Sequence, residues 1–245
     1  MIRLLHIDSS ARPGRSGEHA HGSHTRRLSA RFLRRWQAQR PLDAVVYRDL
    51  ALQPPAAVTG QWVHAAFTAP ARREPWMQAA LMQSDTLIDE LIAADLIVIG
   101  APMYNFGMPS TLKAWIDNVV RVGRTFGFDR ERLGEPYWPL LADQGKRLVL
   151  LSSRGDYGYN PGERLAAMNH VEAGVMTPLR YLGIDATDRI AIEYDEFGDE
   201  RLQASIAAAE AEVDALVSRL VREVAMERSE TTADAGVDAG ATAAS

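Results

Sequence analysis

Residues 95–106 read DLIVIGAPMYNF, and this stretch decides the fold class. The apolar run at 96–100 is short and continuous, and Pro102 and Pro109 enclose the loop that follows it. Such a run, bounded by turn residues, is typical of a strand that is buried on both faces of a parallel sheet. Helical periodicity returns at 110–121. Strand, loop and helix thus succeed one another as they do in a βα unit.

The same alternation of short apolar runs and longer helical patterns extends over most of the chain. The predicted strands are 3–7, 44–47, 96–100, 147–151 and 189–193. The predicted helices are 24–39, 75–93, 110–121, 164–182 and 199–223. The last helix carries its apolar residues on one stripe, which consists of Leu202, Ile206, Ala209, Val213, Leu216, Leu220 and Val224. Alternating strands and helices predict an α/β fold with a five-stranded, parallel, doubly wound sheet.

Three segments fall outside this alternation. Residues 53–73 are rich in Pro and Ala, and residues 125–144 carry aromatic side chains among Gly and Pro, so both are predicted to be long functional loops. Large apolar residues become scarce from about residue 228, and we expect a disordered tail at 228–245. A single domain is therefore expected over residues 1–227.

The charge and the residue composition of the chain indicate which classes of binding partner to expect. The 245 residues carry a net charge of −5, which argues against general binding to nucleic acid or to an anionic membrane surface. A local cluster of arginines is interpreted as the solvated face of a helix. Its members are Arg26, Arg27, Arg31, Arg34 and Arg35. Cysteine is absent, which excludes disulfides and thiolate chemistry, and no signal-like or membrane-spanning apolar run is found, so we expect a soluble cytoplasmic protein.

Ligands of an open parallel sheet bind beyond the carboxyl ends of its strands, so the loops after the first, third and fourth strands belong together. In the first loop, the hydroxyls of Ser9, Ser23 and Thr25 precede a predicted helix whose free N–H groups would hold a phosphate. No GxGxxG or GxxxxGK[ST] pattern is present there, which disfavours a dinucleotide Rossmann domain and a P-loop NTPase. The alternative is that Ser23 and Thr25 only cap the helix.

The second loop is the more informative one. Tyr104, Asn105 and Phe106 bring aromatic surface and an amide to a point where backbone groups are otherwise unpaired, and a planar heteroaromatic ring with polar edges would fit there. The alternative is that the two rings only plug the edge of the sheet. In the third loop, Gly155 and Gly158 would let the backbone approach a ligand, although an ordinary glycine turn would have the same composition.

These stretches resemble the FMN-dependent NADH-azoreductases, close relatives of the NAD(P)H:quinone reductases in the flavodoxin-like superfamily. The resemblance covers roughly residues 1–225 and is carried by 95–106, by GMPSTLKAWIDNVVRVGRTF at 107–126 and by SSRG at 152–155. It implies a flavodoxin-like three-layer sandwich that binds FMN.

The resemblance also implies which residues hold FMN. The phosphate cradle would consist of Ser9, Ser23, His24 and Thr25. The loop beside the isoalloxazine ring would consist of Pro102, Met103, Tyr104, Asn105 and Phe106. The third flavin loop would consist of Ser153, Arg154, Gly155 and Asp156. In this third loop the chain departs from the family, because Asp156 stands where a second glycine is expected.

An insertion, RSGEHAHG at 15–22, is a second departure from the family. It makes Ser16 an alternative to Ser23 in the cradle, and Ser23 is preferred because its spacing to Thr25 and to the helix matches the family. We interpret the insertion as a polar lid over the phosphate. The histidines in and beside it fit no helical metal motif, and we expect no metal there. These histidines are His19, His21 and His24.

The function implied by the resemblance is the reduction of quinones, azo compounds or both by NADH or NADPH through FMN. A homodimer with flavin sites near the subunit interface is implied as well, with Tyr104, Phe126 and Phe128 around the substrate pocket. Since donor and acceptor would use the same exposed face of the ring, ping-pong kinetics are expected. Two alternatives remain: an FMN-binding electron-transfer or redox-sensing module without nicotinamide turnover, and a hydrolase that acts through Ser9 or Ser153.

Overall fold

A computed structural model describes the backbone of residues 1–241 and the side chains of residues 1–226. Its strands are β1 (Arg3–Asp8), β2 (Ala44–Asp49), β3 (Leu96–Pro102), β4 (Phe126–Phe128), β5 (Tyr137–Pro139), β6 (Arg147–Ser153) and β7 (Ala186–Ile192). Five of them form a parallel sheet in the order β2-β1-β3-β6-β7, and β4 and β5 form a separate antiparallel hairpin. Without the hairpin the order along the sheet is 2-1-3-4-5, which is that of flavodoxin-like folds.

Helices cover both faces of the sheet. They are α1 (His24–Gln39), α2 (Gly60–Phe67), α3 (Pro75–Ala93), α4 (Ser110–Val119), α5 (His170–Tyr181) and α6 (Glu200–Ala241). Successive residues of a strand point to opposite faces, and in β3 both sets are apolar. Leu96 and Val98 pack in the cluster that includes α1 and α6, whereas Ile97 and Ile99 pack in the cluster that includes α3, α4 and α5. The predicted flavodoxin-like three-layer α/β sandwich is confirmed.

The predicted helices at 24–39 and 75–93 have the bounds that the structure shows, whereas the helix predicted at 164–182 is wrong at its start. The helix α5 begins at His170, because the side chain of Asn169 accepts a hydrogen bond from the N–H of Glu172 and so caps the helix there. A short 3₁₀ turn, Ala166–Met168, precedes it.

Both segments predicted to be long loops contain regular structure. Within 53–73 lies α2, which begins where the Thr59 hydroxyl accepts a hydrogen bond from the Trp62 N–H. Within 125–144 lies the β4–β5 hairpin, with Phe126 opposite Pro139 and Phe128 opposite Tyr137. Alternation over three residues is too short to stand out as a strand in the sequence.

The apolar stripe of the last helix is buried over the residues whose side chains are described, as predicted. The helix α6 is assigned as Glu200–Ala241. The tail predicted at 228–245 falls where side chains are not described, and 242–245 lie outside the described residues. The boundary of the domain at residue 227 therefore stays a prediction.

The arginine cluster on α1 is not a simple solvated face, and that interpretation is wrong for Arg26 and Arg31. Arg26 is buried in an ion pair with Asp49, and Arg31 pairs with Glu210 and Asp214 of α6. These cations are therefore matched by carboxylates within the fold. Over the part of the chain that is described, no helix is both long and apolar enough to span a membrane.

Candidate functional site

A cavity of about 390 Å³ opens at the carboxyl ends of β1, β3 and β6. We call it the inner cavity. It is lined by Ser10, Arg12, Ser23, His24, Pro102, Met103, Tyr104, Asn105, Ser153, Gly155, Asp195 and Glu196. All three loops expected to converge here contribute to it, and its volume lies in the range of small-molecule and cofactor sites.

One end of the inner cavity is the N-terminus of α1. Ser23 caps this helix, because its Oγ accepts a hydrogen bond from the N–H of Arg26 at 3.3 Å. The N–H groups of His24 and Thr25 belong to the first turn and have no partner within the helix. The first turn carries no acidic residue. Free donors at the positive end of the helix dipole make this end suitable for an anion.

The cradle residues predicted from sequence differ in how they face this end. Ser23 and His24 line the inner cavity, whereas Ser16 is not among its lining residues. The hydroxyl of Thr25 is fully buried and lies 3.0 Å from Ser23 Oγ. Ser9 is also buried, and its hydroxyl donates to the carbonyl of Gly100 at 2.7 Å. Ser9 and Thr25 therefore support the walls of the cradle with their side chains.

Position 100, where β3 passes the start of α1, is a glycine. A Cβ atom on Gly100 would lie 2.7 Å from Asp8 Oδ1 and 3.5 Å from the Cβ of Thr25. A side chain there would collide with the Asp8 carboxylate, whereas its Cβ atom would make an ordinary van der Waals contact with Thr25. The glycine at the end of the DLIVIG run thus leaves room for Asp8 Oδ1, which accepts a hydrogen bond from Ser29 of α1 at 2.8 Å.

The other end of the inner cavity is a tight turn, Tyr104–Gly107. The backbone N–H of Tyr104 donates to the Gly107 carbonyl at 2.8 Å, and the Gly107 N–H donates back at 3.0 Å. Between them, Asn105 and Phe106 have φ angles of 48° and 68°, so both lie in the left-handed region, as in a type I′ turn. Two consecutive non-glycine residues in this region are unfavourable by about 1 kcal/mol or more each, a pattern found at functional sites.

Hydrogen bonds tie this turn to both neighbouring loops. The Tyr104 hydroxyl accepts from the N–H of Ala11 in the first loop at 3.1 Å. The N–H of Met103 donates to the Ser153 carbonyl in the third loop at 2.8 Å. These hydrogen bonds fix the position of the turn relative to the first and third loops.

The third loop contributes less of its side-chain chemistry to the cavity than predicted. The guanidinium of Arg154 points into the protein, where it pairs with Glu172 and Glu193, and the residue is only 1% exposed. Gly155 lines the cavity, and a Cβ atom on it would overlap the side chain of Glu196. Gly158 has a φ of 82° and is not among the lining residues. Gly158 is therefore a glycine because the turn needs this backbone conformation, and not because a ligand approaches it.

A fourth loop at this edge was missed by the sequence reasoning. Asp195 and Glu196 follow β7 and line the inner cavity. Asp195 lies 3.2 Å from His24 Nε2 and 3.3 Å from a guanidinium nitrogen of Arg12. The hydrogen bond with His24 is the main reason that the pKa of Asp195 is below its ordinary value, and the charge of Arg12 adds to it. In the sequence, the available signal for these two residues was that they follow the fifth parallel strand, whose carboxyl end must lie at the same edge of the sheet as those of the other strands.

Comparison with known proteins shows the family to which this chain belongs. A family model described as the flavodoxin-like fold matches residues 3–217. The FMN-dependent NADH:quinone oxidoreductase 2 of Idiomarina loihiensis is 42% identical over 210 residues, which cover 86% of this chain and 87% of that protein. The FMN-dependent NAD(P)H:quinone oxidoreductase 1 of Pseudomonas aeruginosa is 41% identical over 211 residues, or 86% and 95% of the two chains.

The chain belongs to the FMN-dependent NADH:quinone oxidoreductase family. The family resemblance predicted from the sequence is thereby confirmed. The crystal structure of an FMN-dependent NADH-azoreductase from Bacillus anthracis in complex with FMN has a TM-score of 0.77 and 18% identity, and it covers 90% of this chain and 99% of that one. At this identity the likeness concerns the fold.

In this member of the quinone oxidoreductase family a second cavity, of about 410 Å³, adjoins the first. We call it the adjoining cavity. It is lined by Met103, Asn105, Phe106, Gly155, Asp156, Tyr159, Leu165, Met168 and Glu196. Asp156, at the position of the expected glycine, accepts a hydrogen bond from the Tyr157 N–H at 2.8 Å and pairs with Arg164. These contacts hold its pKa below the ordinary value, with the Tyr157 N–H as the largest cause.

Two residues assigned to the substrate pocket lie elsewhere in the single chain. Phe126 packs in the core beside Tyr181 at a centroid distance of 5.2 Å, and the Phe128 ring lies tilted against Tyr137 on the hairpin at a centroid distance of 4.7 Å. Neither is among the lining residues of the two cavities. Tyr104, the third residue of that group, does line the inner cavity.

Two of the histidines in or beside the insertion have hydrogen-bond partners in the protein. His24 Nδ1 lies 2.8 Å from Ser16 Oγ, and His19 Nδ1 accepts from the N–H of Arg15. Within the described residues no group of three or more His, Cys, Asp or Glu side chains is arranged to hold a metal ion.

Proposed function

We propose that this protein is an FMN-dependent NAD(P)H oxidoreductase that reduces quinones, azo compounds or both. The observation that carries the proposal is the inner cavity itself, which joins a helix N-terminus with free donors to a strained turn beside open aromatic surface. The first end suits a phosphate and the second suits a flat ring with polar edges. The printed names of the relatives from Idiomarina loihiensis and Pseudomonas aeruginosa support the same activity.

The residues present fit FMN at both ends. The first-turn N–H groups of His24 and Thr25, with the Ser23 hydroxyl, would hold the phosphate. At the ring end, the N–H groups of Asn105 and Phe106 make no hydrogen bond within the part of the chain that is described, and they are available for the polar edge of the flavin. FMN, when bound, supplies the acceptance and release of a hydride equivalent.

The chain's own residues would position the partners and exclude water. The turn at Tyr104–Gly107 is held to the first and third loops by its hydrogen bonds, so it presents one fixed wall to the ring. Phe106, Leu165 and Met168 give the adjoining cavity an apolar side suited to a nicotinamide or a quinone. No proton-transferring triad is needed for this role.

The hydrolase alternative has less support. The Ser9 hydroxyl donates to a backbone carbonyl, and among the described residues neither Ser9 nor Ser153 has a histidine within hydrogen-bonding distance. Activation of a serine nucleophile requires such a base.

Steady-state kinetics test the proposal. Because donor and acceptor would occupy the same adjoining cavity in turn, initial rates with varied NADH and quinone should give parallel double-reciprocal lines. Intersecting lines would contradict a shared chamber. Under anaerobic conditions, which exclude dioxygen as an acceptor, an NADH oxidation rate that does not increase when a quinone or an azo compound is added would contradict the proposed reaction.

The assembly in this proposal is a cytoplasmic homodimer in which the β4–β5 hairpin of one subunit shapes the pocket of the other. Its support is the exposure of the aromatic hairpin, where Phe128 and Tyr137 are about half-exposed and Leu133 is fully so. In a dimer of this kind, Phe128→Ala should raise the KM for the acceptor and leave FMN affinity unchanged. A monomer by light scattering at working concentration, with full activity, would contradict it.

A further inference from the structure

The adjoining cavity has an unbalanced charge. Of its nine lining residues, Asp156 and Glu196 are carboxylates, and none is Lys, Arg or His. The reduced nicotinamide ring and an unsubstituted quinone carry no charge of their own, whereas a cavity that receives an anionic group would be expected to carry positive charge. The distribution of charge around this cavity is therefore evidence about the acceptor.

The two carboxylates are not equivalent. Asp156 is neutralised locally, because it forms an ion pair with Arg164 and accepts the N–H of Tyr157. The carboxylate of Glu196 makes no hydrogen bond or ion pair with any described residue. Glu196 therefore contributes the uncompensated negative charge of the adjoining cavity.

The backbone fixes where this charge lies. The N–H of Glu196 donates to the Gly155 carbonyl at 3.1 Å, and the N–H of Asp195 donates to the Arg154 carbonyl at 3.2 Å. The Glu196 side chain lies over Gly155, in the space that a Cβ atom on that residue would need. It lines both the inner and the adjoining cavity. The charge of Glu196 thus lies where the inner cavity meets the adjoining cavity.

We propose that Glu196 makes this enzyme select neutral or cationic electron acceptors over anionic ones, such as sulfonated quinones and sulfonated azo dyes. The inference rests on the proposed function and names the substrate class of that site. A single uncompensated charge near a bound anion, in surroundings between water and protein in dielectric constant, corresponds to roughly a 3- to 10-fold change in specificity. Glu196 acts here as a specificity-determining residue.

The test compares a naphthoquinone with its ring-sulfonated analogue in the FMN-loaded wild-type protein and in Glu196→Gln. The variant should raise kcat/KM for the sulfonated compound about 3- to 10-fold relative to the neutral one, and added salt should narrow this difference. Glu200→Gln is the matched control, since it removes an exposed carboxylate of the next helix that lines neither cavity. It should leave the ratio unchanged.

A ratio that is the same in wild type and Glu196→Gln would overturn the inference, as would an equal change in Glu200→Gln. Equilibrium binding of the two compounds, followed by quenching of tryptophan fluorescence, gives a readout that does not need turnover, and the sulfonated compound should gain affinity only in Glu196→Gln. If the wild-type protein reduces neither compound, the proposed function fails, and this binding comparison still decides the role of Glu196.

Discussion

His24 Nε2 lies 3.2 Å from Asp195 Oδ1, and this contact joins the first turn of α1 to the loop after β7 across the inner cavity. On the other side of the imidazole, Ser16 Oγ lies 2.8 Å from Nδ1. Asp195 in turn accepts a hydrogen bond from Arg12. The insertion, the helix start and the fourth loop are therefore connected through one histidine.

Removal of this imidazole should loosen the loop at 193–199. We expect His24→Ala to increase hydrogen exchange of that loop several-fold and to weaken FMN binding by roughly 3- to 10-fold, because one or two hydrogen bonds are lost. The control is His21→Asn, since Asn tolerates the φ of 55° at that exposed position. Equal exchange in all three proteins would contradict the connecting role of His24.

The cradle prediction separates phosphate binding from helix capping. Ser23→Ala removes both a phosphate donor and the cap, whereas Ser23→Gly retains most of the capping stability. Both variants should weaken FMN much more than riboflavin, and only Ser23→Ala should lower the free energy of unfolding of the apoprotein, by about 1 kcal/mol. Ser16→Ala should have little effect on the ratio of FMN to riboflavin affinity. A larger effect in Ser16→Ala would move the cradle into the insertion.

The left-handed backbone of the ring loop has a measurable consequence at Asn105. Gly adopts a φ of 48° without strain, whereas Ala does so less readily than Asn. Asn105→Gly should therefore be about as stable as wild type, and Asn105→Ala should be less stable by roughly 0.5–1 kcal/mol in denaturant unfolding. Turnover should fall by no more than about 10-fold in either variant if backbone groups make the contacts. Loss of FMN binding in both would mean that the amide itself is a ligand.

The pairing of α1 with α6 predicts a pH dependence of stability. Hydrogen bonds from Arg31, and then from Arg35, lower the pKa of Asp214 from 3.8 to about 2. A lowered carboxyl pKa stabilises the fold above pH 3.8, and this contribution is lost as the pH falls through about 2. Asp214→Asn should thus cost roughly 1 kcal/mol near neutral pH, and the difference from wild type should shrink as the pH falls below about 4.

Thermal melts over this pH range give the measurement, with Asp117→Asn as the comparison. Asp117 forms an exposed ion pair with Lys113 within one helix, so its removal should cost less. A difference between wild type and Asp214→Asn that stays constant with pH would show that the carboxylate is not the stabilising species.

The parts of the fold that follow from local physics were predictable from the sequence. Leu96 to Ile99 form a short apolar run that is followed by a loop between two prolines, which is typical of a strand buried on both faces. Ser23 marks the start of α1 as a helix cap. Asn169 is a residue that commonly caps helices, and it could have indicated the start of α5. The prediction instead began the helix at residue 164, where the helical pattern of apolar residues begins. Local signals thus account for the sheet and most helix ends.

The parts that depend on contacts between distant residues were not predictable in this way. Arg154 was expected at the flavin, and it instead pairs with Glu172 and Glu193, which are far from it in the chain. Asp195 and Glu196 were missed because a pair of acidic residues after a strand looks like any solvated turn. Their role emerges only when the fold brings them against His24 and Gly155.

The proposed reaction requires that FMN binds in the inner cavity and passes electrons from a nicotinamide to a quinone. The most direct test is the visible spectrum of the FMN-loaded protein under anaerobic conditions, before and after addition of NADH and then of a quinone. The flavin absorbance should be bleached by NADH and restored by the quinone. A protein that cannot be loaded with FMN, or whose flavin absorbance is unchanged by both NADH and NADPH, would contradict the claim.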